Sequence, residues 1–133
     1  MFELLAILVA GLLVFLSAAI QHANTVSTRG LGFVFTDRST PLAREGFAGR
    51  AARTLQNNLE SAGMFVPGAA IIVLGNHATL ASSVAAGAYM AARLGFTLSY
   101  WSGASRPRSL FWGIGMASIA AMTMLAGFAV VAG

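Results

Sequence analysis

The sequence predicts an all-α membrane protein, a four-transmembrane-helix bundle in a single domain covering residues 1–133. Hydrophobic residues make up 57% of the chain, charged residues make up 9%, and the mean hydropathy is +0.77, whereas soluble domains carry roughly 25% charged residues. The length of 133 residues leaves room for one domain. Because one span takes about 20 apolar residues, at most four spans fit, and four apolar stretches are visible.

The first helix is predicted at about residues 3–21, with an apolar segment from Leu4 to Ile20. This segment is too long, and too uncharged at its start, for an ordinary signal peptide. A polar segment follows from Gln21 to about Ser39 and separates the first span from the second.

The second helix is predicted at about residues 41–75. Thr40-Pro41 is typical of an N-cap followed by the first helical position. Pro67 lies inside this helix, where we expect a kink that neighbouring helices tolerate. Gly75-Asn76 then predicts a tight, uncharged turn that ends the helix.

The third helix is predicted at about residues 79–102 and the fourth at about 107–132. Ser102 to Pro107 forms the loop between them, and Pro107 suits the opening turn of the fourth helix. The third helix contains one charged residue, Arg93, and the fourth is apolar from Leu110 onward.

Every arginine except Arg93 falls in the first or third loop or near the start of the helix that follows it, whereas the second loop and the C-terminus have none. The positive-inside rule therefore predicts that loops 1 and 3 are cytoplasmic and that both termini lie outside. We expect a multi-pass integral membrane protein, in the inner (cytoplasmic) membrane if the source is bacterial.

Composition also argues against several classes of site. The chain has no cysteine, which excludes disulfides and thiolate chemistry of its own. His22 and His77 have no second ligand at metal-binding spacing, so we expect no metal site. The net charge is +4, but the arginines flank hydrophobic spans and no aromatic-basic recognition module is visible, so we expect no nucleic acid partner.

A polar stripe opens the second helix. Arg50, Arg53, Asn57 and Glu60 follow the spacing i, i+3, i+7, i+10, which places all four on one helical face. Ionisable side chains at membrane depth are costly and normally face a bundle interior, a cavity or one another. The stripe is therefore a candidate binding site.

The third helix adds Arg93 and, seven residues later on the same face, Tyr100. Similar depth predicts an ion pair between Glu60 and Arg93 and puts Tyr100 at the level of Arg53. Arg50, Arg53 and Arg93 against Glu60 leave an excess of two positive charges. The excess favours a small anionic ligand bearing one ammonium group, with carboxylates on the arginines and the amine on Glu60. The alternative is an internal network that fixes helix register.

With these residues in place, the sequence resembles the MAPEG superfamily, the membrane-associated proteins in eicosanoid and glutathione metabolism, and looks like a bacterial-type member. The resemblance covers nearly the whole chain. Its main motif runs from Gly49 to Arg53 and continues through Asn57, Glu60 and Phe65. Further matches lie in the preceding loop and on the third helix: Arg29-Gly30, Gly32, Asp37-Arg38, Arg93 and Tyr100.

The resemblance implies a homotrimer of four-helix protomers, with glutathione as co-substrate held between neighbouring subunits near the cytoplasmic side. The glutathione-binding residues expected by position, together with Arg50 on the same stripe, are Arg50, Arg53, Asn57, Glu60, Arg93 and Tyr100. The resemblance further implies that Arg106 or Arg108 stabilises the glutathione thiolate. Ser61 and Phe96 depart from the family, since catalytic relatives carry an aromatic residue and a hydrogen-bonding ring there.

The leading functional hypothesis is a glutathione S-transferase or peroxidase-like enzyme acting on hydrophobic electrophiles that arrive from the bilayer. The alternative is a non-catalytic membrane component that uses the same polar network for oligomer stability or ligand binding. A small multidrug exporter is disfavoured because Glu60 lies among arginines that would repel cationic drugs. Expected partners are the protein itself, glutathione, lipophilic small molecules and lipid.

Overall fold

The computed structural model describes residues 1–37 and 45–132, and every regular element in these residues is a helix. The all-α prediction is confirmed. In chain order the helices are α1 (Phe2–Arg29), α2 (Leu31–Val34), α3 (Gly46–Leu74), α4 (Leu80–Ser102) and α5 (Ser105–Ala132).

Helix α1 is longer than predicted and runs eight residues past position 21, through about half of the expected polar segment. The polar residues there are accommodated in a helix because their hydroxyls bond to carbonyls of the preceding turn and so do not compete for the backbone in another conformation. Thr25 Oγ1 donates to the Gln21 carbonyl at 3.0 Å, and Thr28 Oγ1 donates to the Asn24 carbonyl at 2.7 Å. Gly30, with a φ of 81°, ends the helix.

Helix α3 begins at Gly46, so the prediction of one continuous helix from residue 41 is wrong. Gly46 has a φ of 56°, a left-handed conformation that an α-helix cannot run through, and Glu45 before it is extended. The predicted cap at Thr40-Pro41 lies outside the described residues. The helix continues through Pro67 to Leu74, and the turn at Gly75-Asn76 is confirmed.

The boundaries of α4 and α5 match the predictions within two residues. A reciprocal capping box starts α4: Ser82 N donates to Thr79 Oγ1, and Thr79 N donates to Ser82 Oγ. Gly103, with a φ of 82°, ends α4 and allows α5 to start two residues later. Local signals thus determine both ends of α4.

The four long helices pack as two main pairs, α1 with α3 and α4 with α5, and α3 also packs against α5. Small residues bring the helices close together, and the largest fully buried side chains include Tyr89 and Phe65. Their rings stack with centroids 3.7 Å apart. Across the α4–α5 contact, a Cβ at Gly95 would lie 2.6 Å from the Phe111 ring, so this glycine permits the close approach.

Two of the described helices, α1 and α5, are long and apolar enough to cross a membrane by length and composition. Many large apolar side chains on their surfaces are exposed, among them Leu8, Phe15 and Phe128. Such surfaces suit contact with lipid or with another subunit. Membrane crossing by α3 and α4, and hence the count of four spans, stays a prediction.

Candidate functional site

Arg93 of α4 lies at the centre of the polar interior. Its side chain is only 3% exposed. Nη2 donates to Asn57 Oδ1 at 3.0 Å and also to Asn58 Oδ1, both on α3. The guanidinium carbon lies 4.4 Å from the centroid of the Phe96 ring one turn further along α4. The guanidinium is therefore held by two amide oxygens and an aromatic face.

Asn58 extends this contact into a buried network. Its Nδ2 donates to Ser17 Oγ on α1 at 2.9 Å and to Thr97 Oγ1 on α4 at 3.1 Å. Ser17 and Thr97 are 0% and 1% exposed. Asn58 thus joins α1, α3 and α4 at one level of the bundle through side-chain hydrogen bonds.

The predicted ion pair between Glu60 and Arg93 is wrong. Glu60 Oε1 instead accepts from Gln56 Nε2 at 2.7 Å on the exposed side of α3, while Arg93 reaches the two asparagines. No carboxylate in residues 1–37 and 45–132 pairs with Arg93. Equal depth in the membrane places the two side chains at one level of the bundle. They nevertheless point in different directions around α3 and α4, so they do not meet.

Glu60 and Arg93 nevertheless line the same cavity, of about 120 Å³, between α3, α4 and α5. Its polar side is formed by Arg93 together with Asn57, Glu60 and Ser61. The remaining lining is provided by Met64, Trp112, Gly115, Met116 and Ile119. This cavity offers both charge signs next to an apolar wall.

A second cavity, of about 250 Å³, adjoins the same part of α3. It is lined by Asn57, Phe96, Tyr100, Arg108, Ser109 and Trp112. Asn57 and Trp112 line both cavities. The guanidinium carbon of Arg108 lies 5.0 Å from the centroid of the Tyr100 ring, and the Tyr100 ring meets Phe96 edge to face. The second cavity therefore brings a hydroxyl and a guanidinium together.

Of the other predicted arginines, three line neither cavity: Arg50, Arg53 and Arg106. Arg106 is exposed, whereas Arg108 is partly buried. Arg53 is also exposed. Arg50 is partly buried near Gly103, and its buried Nε has no hydrogen-bond partner among the described residues. The structure thus brings together Asn57, Glu60 and Arg93 around one cavity and Asn57, Tyr100 and Arg108 around the other.

The sequence did not predict a place in the site for Asn58, for its two hydroxyl partners or for Trp112. Asn58 follows Asn57 but lies about 100° further round α3, off the stripe that the periodicity selected. An amide inside an apolar helix was the available signal. Ser61 was singled out as a departure, and its Oγ lies 3.1 Å from the buried Tyr89 hydroxyl.

A comparison with protein-family models matches residues 2–128 to a model described as MAPEG family. No curated protein and no solved structure matches the chain. The family match spans all four long helices up to residue 128 of α5.

Proposed function

The chain belongs to the MAPEG family, membrane proteins of glutathione and eicosanoid metabolism, and from this premise we propose that it binds glutathione and conjugates it to hydrophobic electrophiles. The tripeptide would occupy the two cavities that share Asn57 and Trp112. Both cavities lie against helix α3 at Asn57, a residue of the motif shared with the family.

The observation that carries this proposal is the uncompensated charge of Arg93. A buried guanidinium normally has an anionic partner, because an unpaired charge in a low-dielectric interior is costly. Arg93 has two neutral amide oxygens instead, next to a cavity. Glutathione carries two carboxylates and one ammonium group, so a carboxylate on Arg93 and the ammonium on Glu60 would complement this cavity.

The second cavity supports the assignment of thiol chemistry to Arg108 rather than to Arg106. The positive charge of Arg108, next to the Tyr100 hydroxyl, would lower the pKa of a thiol bound there and hold the thiolate. With an activated aryl chloride, the thiol gives its proton to solvent and the sulfur forms a bond to the ring carbon. Chloride then leaves with its bonding pair. We also propose peroxidase-like activity at the same site, as in the leading hypothesis from the sequence.

A homotrimer would complete the site. Arg53 and Glu60 are exposed on the protomer, although they belong to a helix that we expect inside the membrane. Charged side chains facing acyl chains are costly, so cover from a neighbouring subunit is favoured. Such an arrangement would place Arg50 and Arg53 at the subunit boundary and admit lipophilic substrates from the bilayer.

The second candidate is a glutathione-binding protein that does not turn its ligand over. The Ser61 hydroxyl is engaged with Tyr89, and Phe96 offers no hydrogen bond where relatives carry a polar ring. Thiol activation would then depend on Arg108 and Tyr100 alone. Measurement of glutathione binding separates this candidate from a polar network with a purely structural role, because such a network needs no ligand.

The test uses the purified protein in lipid nanodiscs. Calorimetry measures glutathione binding, and conjugation of an activated aryl chloride is followed at several pH values. We expect binding, and we expect Arg108→Ala to reduce kcat by about tenfold or more, whereas the exposed Arg106→Ala leaves it within about twofold. Binding without conjugation would support the second candidate, and absence of both would contradict the proposed function.

A further inference from the structure

Arg93 is held in place by a residue that does not neutralise it. We propose that Asn58 is a positioning residue, which fixes the Arg93 guanidinium at the cavity while leaving its positive charge available to an anionic ligand. The inference rests on the proposed function, since glutathione is the ligand whose binding it would affect. Asn58 itself is 3% exposed and lines neither cavity, so it acts through Arg93.

The direction of the Asn58 amide follows from its partners. Ser17 and Thr97, from two other helices, both accept hydrogen bonds from Nδ2. With Nδ2 engaged there, Oδ1 faces Arg93 Nη2 and accepts from it. A flipped amide would place NH₂ donors against the guanidinium donors and lose the hydrogen bond to Arg93. The donor-only guanidinium therefore fixes Oδ1 toward Arg93, and the two hydroxyls, which can accept as well as donate, hold Nδ2 on the other side.

Asn57 and Asn58 contact the same Nη2 atom but differ in exposure. Asn57 is half-buried and lines both cavities, so a ligand can compete for its amide. Asn58 is enclosed by α1 and α4, so its hydrogen bond to Arg93 persists when a ligand arrives. This division leaves Asn57 for ligand contact and Asn58 for positioning.

The neutrality of Asn58 matters as much as its geometry. An aspartate at the same position would accept the same hydrogen bond, but its charge would offset that of Arg93. A ligand carboxylate would then meet a smaller net positive charge. Substitution by aspartate separates the charge contribution from the positioning contribution, because the two side chains have nearly the same shape.

The test compares three substitutions in nanodiscs. Asn58→Leu removes the contact, Asn58→Asp keeps the acceptor and adds charge, and Thr97→Val removes one hydroxyl at constant volume. Thr54→Val is the matched control, because Thr54 is 0% exposed and its hydroxyl donates to the Arg50 carbonyl of its own helix at 2.8 Å. The readouts are calorimetric glutathione affinity, kcat and KM, and the NMR signals of the ¹⁵N-labelled Arg93 guanidinium.

We expect Asn58→Leu to abolish the restricted Nη signals of Arg93 and to weaken glutathione binding by at least about tenfold, the equivalent of one charge-assisted hydrogen bond. Asn58→Asp should retain those signals yet bind glutathione several-fold more weakly. Thr97→Val should show a smaller loss in both readouts, and Thr54→Val should show none.

Restricted Arg93 signals and full affinity in Asn58→Leu would overturn the inference, and full affinity in Asn58→Asp would overturn its charge component. If Asn58→Leu does not fold, Thr97→Val decides by the same criteria. If the unmodified protein binds no glutathione, the proposed function fails, and the Arg93 signals alone still decide whether Asn58 positions this side chain.

Discussion

Two buried charged groups lie at different levels of the bundle and differ in how their charge is balanced. Glu3, at the start of α1, is 0% exposed and accepts hydrogen bonds from Ser82 Oγ at 2.6 Å and Ser83 Oγ at 3.0 Å. It also pairs with the N-terminal ammonium at 3.1 Å. Arg93 is almost as deeply buried, but its hydrogen-bond acceptors among residues 1–37 and 45–132 are neutral, and it borders a cavity.

The difference indicates two separate uses of buried charge. The Glu3 cluster satisfies itself within one protomer, at the N-terminal end of α4 where a helix dipole favours a carboxylate. The Arg93 cluster, at the level of Ser17 about 21 Å further along α1, leaves a positive charge for a ligand to balance. The first cluster stabilises helix packing, and the second is suited to binding.

The largest expected effect on ligand binding comes from removing the positive charge of Arg93. Arg93→Leu should weaken glutathione binding by about 30-fold or more, because a ligand carboxylate loses its buried partner. Glu3→Gln should leave the affinity within about twofold, since Glu3 lies away from both cavities. Calorimetric titration of the two variants with glutathione checks both expectations. Equal losses of glutathione affinity in the two variants would contradict the assignment of binding to Arg93.

A second prediction concerns stability at the other cluster. Glu3→Ala should lower the free energy of unfolding by about 2–3 kcal/mol, because it removes the acceptor shared by two serines and the terminal ammonium. Glu3→Gln retains an acceptor and should cost about 1 kcal/mol. Denaturation in mixed micelles measures both values. A Glu3→Ala protein as stable as the original would show that this cluster contributes nothing to packing.

The α4–α5 contact offers a smaller effect, on stability alone. Gly95→Ala should destabilise the protein by about 1–2 kcal/mol through overpacking against Phe111. Gly87→Ala on the same helix meets no atom within 4 Å and should be neutral or stabilising by up to about 1 kcal/mol. Thermal unfolding in nanodiscs compares them, and Phe111→Leu should rescue Gly95→Ala. Identical behaviour of the two glycine variants would contradict the close approach.

The parts of the fold that the sequence predicted are those governed by local signals. Gly75-Asn76 marks the end of α3 and Pro107 lies in the first turn of α5, through backbone restrictions that need no tertiary contact. The C-terminal extension of α1 was not predicted, because polar composition suggested a break where hydroxyls bond back to their own helix. The start of α3 depends on the positive φ of Gly46, which the sequence alone did not reveal.

The residues of the candidate site were predicted better than the contacts between them. Helical periodicity placed Asn57 and Glu60 on one face, and depth matching brought Arg93 to the same level, where all three line one cavity. Periodicity and depth do not determine which side chain of a neighbouring helix each residue meets, so the Glu60–Arg93 pair was wrong and Asn58 was missed. The placement of Tyr100 at the level of Arg53 stays a prediction.

The most direct test of an uncompensated buried cation is a calorimetric titration of the unmodified protein in nanodiscs with glutathione and with glutathione dimethyl ester. The ester keeps the ammonium and the thiol but lacks both negative charges. Binding of the ester at least about tenfold weaker than glutathione is the predicted result. Equal affinity for the two molecules, or no heat from either, would contradict a role for Arg93 in binding an anion.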